Sequence, residues 1–234
     1  MINQKKTAIL VFTHTKFLEA QSKNFISPIK KKVNQKIAQH LISKTISIAK
    51  ESGLDVFTKY SPHQVGNSFG ERLANATEEI FNLGYQNVII IGNDCPTLSV
   101  QTLQKTDQLF DESKLVLGPA KDGGLYLIGI NQAVFDKKIF VNFSWETNNL
   151  CLDWKYFISN QDINSFWLEE QQDIDDSISF YSFLNNKKGS VLLRKIFKSI
   201  IAGFYSSIIP INTLKLFFTY TNQAHLRAPP SSNF

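Results

Sequence analysis

Four short stretches of the sequence hold residue types that could do chemistry together. The first is Gly92-Asn93-Asp94-Cys95-Pro96, which follows the apolar run Val88–Ile91. If that run is a buried strand of a parallel sheet, Asp94 projects where such sheets bind ligands, beyond the carboxyl ends of their strands. A carboxylate there can hold Mg²⁺ or Mn²⁺, and the ion can neutralise diphosphate oxygens. The same Asn-Asp pair also suits a plain turn or helix cap. The second stretch is Gly118-Pro119-Ala120-Lys121-Asp122-Gly123-Gly124, between two apolar runs. Its glycines allow close approach of backbone to a ligand, and Lys121 suits a phosphate; Asp-Gly is equally a hairpin signal.

The third stretch runs from Gln64 through Gly66, Gly70 and Arg72, at a loop-to-helix junction. Amides at a helix start attract anions and Arg72 could clamp one, but the six-residue spacing of a phosphate loop is missing. The fourth is Asp173-Ile174-Asp175-Asp176, whose alternating carboxylates could share a metal or simply open a helix. The four histidines, His14, His40, His63 and His225, show no metal-ligand spacing. Cys95 is read as a packing residue, because Asp94 beside it disfavours a thiolate.

The elements that must position these residues alternate. Thr7–Phe12 and Leu54–Tyr60 read as strands, with a long loop over His14–Ser27 and an amphipathic helix from Pro28 to Ser52 between them. A helix over Phe69–Leu83 leads to the Val88–Ile91 strand, which is apolar enough to be covered on both faces. Ser99 caps a further helix to Phe110; Leu115–Leu117 and Leu125–Ile130 are strands; Phe166–Glu169 is a weaker one. This order predicts a three-layer α/β/α domain with a mainly parallel central sheet over residues 1–186. Residues 187–234 are expected to form a basic amphipathic helix, 190–209, with a tail packed on that domain.

With 43 % hydrophobic and 19 % charged residues in 234, the chain is of ordinary globular composition. Two cysteines exclude a disulfide framework and a paired-cysteine zinc site, and the apolar run at the N-terminus is too short for a signal core, so a cytoplasmic location is expected. The net charge of +5 conceals a basic first fifty residues (+9), a basic stretch from 187 onward (+7) and a centre of −11. Anionic partners are expected at the ends and a cation in the middle, with peripheral membrane contact through 190–209 as one use of the basic helix. No nucleic-acid partner is expected.

In this combination and order, the four stretches resemble a family of bacterial glycosyltransferase A-like proteins of unassigned substrate, the radical-SAM and selenodomain-associated transferase type. The resemblance covers about residues 7–186. Phe143-Ser144-Trp145-Glu146-Thr147 matches the family's tryptophan-centred segment, and Asp173-Ile174-Asp175 resembles an Asp-x-Asp of related nucleotidyltransferases. It implies a nucleotide-diphospho-sugar transferase fold and metal-assisted transfer from a nucleotide-activated donor to an acceptor. A nucleotidyltransferase releasing pyrophosphate and a non-catalytic nucleotide-binding protein are the rivals. Asp94 and Asp175 would hold Mg²⁺ or Mn²⁺; Asp122, Lys121 and Arg72 would be catalytic. Donor contacts would come from Thr13, Lys16, Lys23, Gln64, Gly66, Gly70, Asn93, Gly123, Gly124 and Trp145. Many relatives carry Pro-Gly and then Lys-Thr-Arg after the first strand; here Thr13–Lys23 stands instead, leaving Lys16 or Lys23 to substitute.

Overall fold

The computed structural model describes residues 6–186 and 190–206. They form two compact units, divided at Ser190. The first unit is built on a six-stranded sheet: β1 (Thr7–Thr13), β2 (Asp55–Tyr60), β3 (Asn87–Ile91), β4 (Leu115–Pro119), β5 (Leu125–Asn131) and β6 (Ser165–Trp167). The strand order is β2-β1-β3-β5-β4-β6. β1 pairs in parallel with both β2 and β3, and β4 with β6, whereas β5 runs antiparallel to both its neighbours. The sheet is thus mainly parallel, and the Ala120–Gly124 turn joins an antiparallel β4–β5 hairpin.

Helices cover both faces: α1 (Lys16–Lys23), α2 (Lys31–Glu51), α3 (Phe69–Asn82), α4 (Val100–Leu109), α5 (Lys137–Val141), α6 (Leu150–Gln161) and α7 (Ser177–Asn185). Successive strand residues point to opposite faces, and the two cores follow that alternation. Ala8, Leu10, Val88 and Ile90 pack with Leu73 and Ile80 of α3 and Trp154 of α6. Ile9, Val11, Ile89 and Ile91 pack with Ala49 of α2 and Leu103 of α4. At about 25 cal/mol per Å² of apolar area removed from water, burying both faces of these strands stabilises the unit.

The stretch His14–Ser27, expected as a loop, contains α1. Thr15 caps it by accepting from the Leu18 amide at 3.5 Å, and Asn24 ends it in the left-handed conformation. Its inward side holds Glu19 and Ala20 rather than an apolar stripe, so no apolar period announces it. α5 was likewise unannounced. The second unit contributes α8 (Val191–Ser206) to the described residues; the rest of the helix expected to 209 lies outside them.

Candidate active site

A cavity of about 430 Å³ opens beyond the carboxyl ends of β1 and β3. Its acidic end is the cluster of Asp94, Asp173 and Asp175; Asp122, Glu146 and the apolar side chains Phe12, Phe69, Leu73 and Trp145 also line it. Among the described residues that line it, Lys23 is the only lysine or arginine.

The acidic end is assembled by backbone. β3 delivers Gly92, Asn93 and Asp94 to its carboxyl edge. The Ile174 amide donates to the Asp94 carbonyl at 2.9 Å, and Ile174 itself is fully buried. Its neighbours on either side, Asp173 and Asp175, both line the cavity as a result. The helix start that the acidic run also suggested begins one residue later, where Asp176 caps α7 in a capping box with Ser179. One run therefore serves both uses.

Lys23 closes the cluster. Its ammonium lies 3.0 Å from Asp94 Oδ2, 3.0 Å from Asp175 Oδ1 and 3.3 Å from Glu19 Oε1. Glu19 is 2 % exposed and accepts from Asn93 Nδ2 at 2.8 Å. Asn93 Oδ1 accepts from Thr13 Oγ1 at 2.7 Å. A continuous polar chain thus runs from the end of β1 through β3 and α1 to the segment before α7. It is buried at its Thr13–Asn93–Glu19 end, which a polar network inside a protein tolerates only when its members are paired.

Charge in this cluster is uneven. Burial would raise the Asp94 carboxyl, but the Lys23 ammonium, together with backbone hydrogen bonds from Asp94 and Cys95, offsets it and holds Asp94 below its ordinary value. Burial likewise disfavours the Lys23 charge, yet Asp94, Glu19 and Asp175 together push it above its ordinary value. Asp173 makes no ion pair among the described residues, and the Lys23 charge lowers it only in part. Burial, then the Asp94 and Asp175 charges, drive it up to about 9, and its Oδ1 is buried with no hydrogen-bond partner.

The predicted residues divide by position. Asp94, Asp175, Asp122, Lys23, Asn93, Gly124 and Trp145 all line the cavity. Thr13 and Gln64 brace it from behind: Gln64 Nε2 donates to the carbonyls of Thr13 and Lys59, both at 3.0 Å, tying the ends of β1 and β2. Gly70 admits the aromatic wall, since a Cβ there would lie 2.5 Å from the Val141 carbonyl and 2.6 Å from Trp145 Cδ1. Trp145 is locked by its own indole N–H, which donates to the Phe140 carbonyl at 2.7 Å. Gly123 sits at φ +91 with the Asn148 carbonyl against the position a Cβ would take. Asp122 Oδ1 accepts from the Gly124 amide at 2.9 Å, so it also shapes the turn.

Lys16, Gly66, Arg72 and Lys121 do not line the cavity. The Arg72 guanidinium stands 5.9 Å from the Phe69 ring centre and the Lys16 ammonium 5.2 Å from the Phe17 ring centre. Lys23, also expected as a donor contact, is the one lysine or arginine among the described lining residues. Asp173, read in the sequence only as part of an acidic run that could share a metal, lines the cavity as well; Glu19 lay in the stretch read as a loop and was passed over. His14 was also passed over as a lining residue; its Nδ1 is 2.5 Å from Ser61 Oγ.

Among the described residues, no group of three or more carboxylate, histidine or cysteine side chains is drawn close enough to hold a metal ion as the side chains stand. The donor chemistry nonetheless fits a hard divalent ion. Asp94, Asp173 and Asp175 offer only oxygen, and Asp173 Oδ1 is a buried acceptor awaiting a partner.

Residues 40–147 match the model of a family described as "Uncharacterized protein conserved in bacteria (DUF2064)". That span contains Arg72, Asp94, Asp122 and Trp145, and excludes Lys23, Asp173 and Asp175. In structure the chain is similar to a protein of Desulfovibrio desulfuricans G20 provisionally assigned as a nucleotide-diphospho-sugar transferase, with a TM-score of 0.70 and 19 % identity over 85 % of this chain and 97 % of that one. Rv0371c of Mycobacterium tuberculosis H37Rv superposes at 0.44, with 11 % identity over 77 % and 98 % of the two chains. A cytidylyltransferase of Leptospira borgpetersenii serovar Hardjo-bovis superposes at 0.42, with 15 % identity over 84 % and 95 %. No curated protein matches the sequence. The fold is that of the nucleotide-diphospho-sugar transferases, as the sequence motifs imply.

Proposed function

We propose that this chain is a transferase that takes a group, a sugar by preference, from a nucleotide-activated donor. The observation that carries this reading is that Asp94, Asp173, Asp175 and Lys23 line one cavity at the strand ends together with Phe12, Phe69 and Trp145, with Lys23 paired to Asp94 and Asp175. Fold alone assigns no chemistry, but a diphosphate linked to a flat base needs both a cationic or metal-bearing end and a stacking surface.

Asp94 and Asp175 are the residues we assign to a divalent cation, with Asp173 Oδ1 as a further oxygen. A divalent ion held there supplies charge neutralisation to the diphosphate. Lys23 and His14 face the phosphates, the role first expected of Lys121 and Arg72, and oppose the negative charge that develops on the leaving group. The locked Trp145 ring, with Phe12 and Phe69, forms the wall for base or sugar. Asp122, held by the Gly124 amide, orients the acceptor or takes its proton.

The test is a thermal-shift screen of nucleoside diphosphate sugars and nucleoside triphosphates with and without Mn²⁺, on the wild type and on Asp94→Asn. We expect a Mn²⁺-dependent stabilisation by one ligand class, of about 2–4 kcal/mol at saturating concentration, lost in the variant. With the donor identified, turnover should release a nucleoside diphosphate; release of pyrophosphate would reassign the chain as a nucleotidyltransferase. A folded wild type that responds to no ligand would refute the proposal.

A further inference from the structure

The acidic end of the cavity already holds a cation of its own. The Lys23 ammonium stands at 3.0 Å from a carboxylate oxygen of Asp94 and at 3.0 Å from one of Asp175, the two residues assigned above to a divalent ion. Its side chain is only 14 % exposed. It does not reach this place by chance of an exposed tether. Lys23 is the last residue of α1, and Glu19, one turn earlier on the same helix, is buried and anchored to Asn93 while it also faces the ammonium at 3.3 Å. The helix is thereby fixed to the end of β3 with its terminal lysine directed between the two aspartates.

We propose that Lys23 and a divalent cation compete for the same carboxylates, so that Lys23 keeps the cluster neutralised until the phosphates of a donor draw its ammonium away. This inference rests on the reading of the cluster as a divalent-cation site. The physical ground is exclusion. Two cations cannot both sit in direct contact with Asp94 and Asp175 in one site without strong mutual repulsion. An ammonium on a four-carbon stem has rotatable donors that can pass from carboxylate to phosphate. No other lysine or arginine among the described lining residues can make this exchange. A diphosphate would find an acidic surface unless a cation came with it. Lys23 therefore couples the two ligands: the ion binds weakly alone and well beside a phosphate.

The experiment measures Mn²⁺ binding to the full chain by electron paramagnetic resonance, without nucleotide. It compares wild type with Lys23→Gln, Lys23→Met, Lys23→Arg and, as a charge control, Lys32→Gln on the exposed side of α2. Lys23→Met preserves stem volume should Lys23→Gln fail to fold. We expect the neutral variants to bind Mn²⁺ at least about tenfold more tightly than wild type, the scale of one close charge–charge contact near a surface. Lys23→Arg and Lys32→Gln should stay near wild type. Equal or weaker binding by the folded neutral variants overturns the inference. If nucleotide binding to the wild type still depends on Mn²⁺ in that case, the cation site stands and only the competition falls. If nucleotide binding ignores Mn²⁺ as well, both fall together.

Discussion

Asp173 shows at the scale of one residue how the site departs from a stable core. Burial and the neighbouring Asp94 and Asp175 charges raise it from 3.8 to about 9. The folded chain therefore holds a proton that the unfolded chain releases near pH 4. Because the folded state binds more protons between those two values, stability must fall as pH rises through that window. Asp173→Asn removes the titrating group, so its denaturation midpoint should fall less than that of wild type between pH 5 and pH 9. At pH 9 the variant should be the more stable of the two, because it carries no group whose ionisation the folded state opposes. A wild-type midpoint that rises over that range would contradict this assignment. Cys95 gives a second check. Burial, then Asp173 and Asp94, push its thiol up to about 12. In the native protein at pH 8 it should resist alkylation by iodoacetamide, to be read by mass spectrometry, and should react once the chain is unfolded.

At the scale of elements, the sequence announced those with a sustained apolar run or period and missed those too short or too polar on the inward side to show one, α5 and α1. Val88–Ile91 could only be a strand covered on both faces, and it is one. α1 escaped because its inward residue, Glu19, answers to Asn93 and Lys23 rather than to apolar neighbours. Lys23 was expected as a donor contact, but its partners were hidden: nothing local says that a lysine ten residues past β1 meets aspartates 71 and 152 residues away. Asp94 was legible because a strand end fixes its position, whereas Arg72 and Lys121 looked suitable by type alone and do not line the cavity. The antiparallel β5 was hidden for a related reason. The Asp-Gly signal of a hairpin was present, but the surrounding glycines also suited a ligand loop. Gly70 illustrates an element-scale constraint that function inherits. Gly70→Ala should overpack the contact between α3 and the Trp145 segment and cost about 1–3 kcal/mol. Intrinsic tryptophan fluorescence and calorimetry would record it, and donor affinity should weaken as the wall shifts; an unchanged midpoint would show that the segment can move aside freely.

For the whole molecule, charge is distributed by task. The acidic centre of the sequence includes the carboxylates that line the cavity, and the basic ends lie to either side of it along the chain. Among the described residues no helix is long and apolar enough to cross a membrane. The basic segment 190–209 is proposed to touch an anionic membrane surface instead. Flotation with vesicles containing phosphatidylglycerol should recover the full chain and lose it when residues 191–234 are removed; equal recovery of both would dismiss that contact. The likeness to the Desulfovibrio desulfuricans G20 protein establishes the fold, and the chemistry must be read from the cavity itself. The most direct test of that reading is a crystal structure of the chain with Mn²⁺ and a nucleoside diphosphate, recorded with anomalous scattering from manganese. The account predicts a manganese peak beside Asp94, Asp173 and Asp175, diphosphate oxygens on its open side, and the Lys23 ammonium on phosphate. A nucleotide bound elsewhere, or bound in this cavity with Lys23 still between Asp94 and Asp175 and no manganese peak, would contradict it.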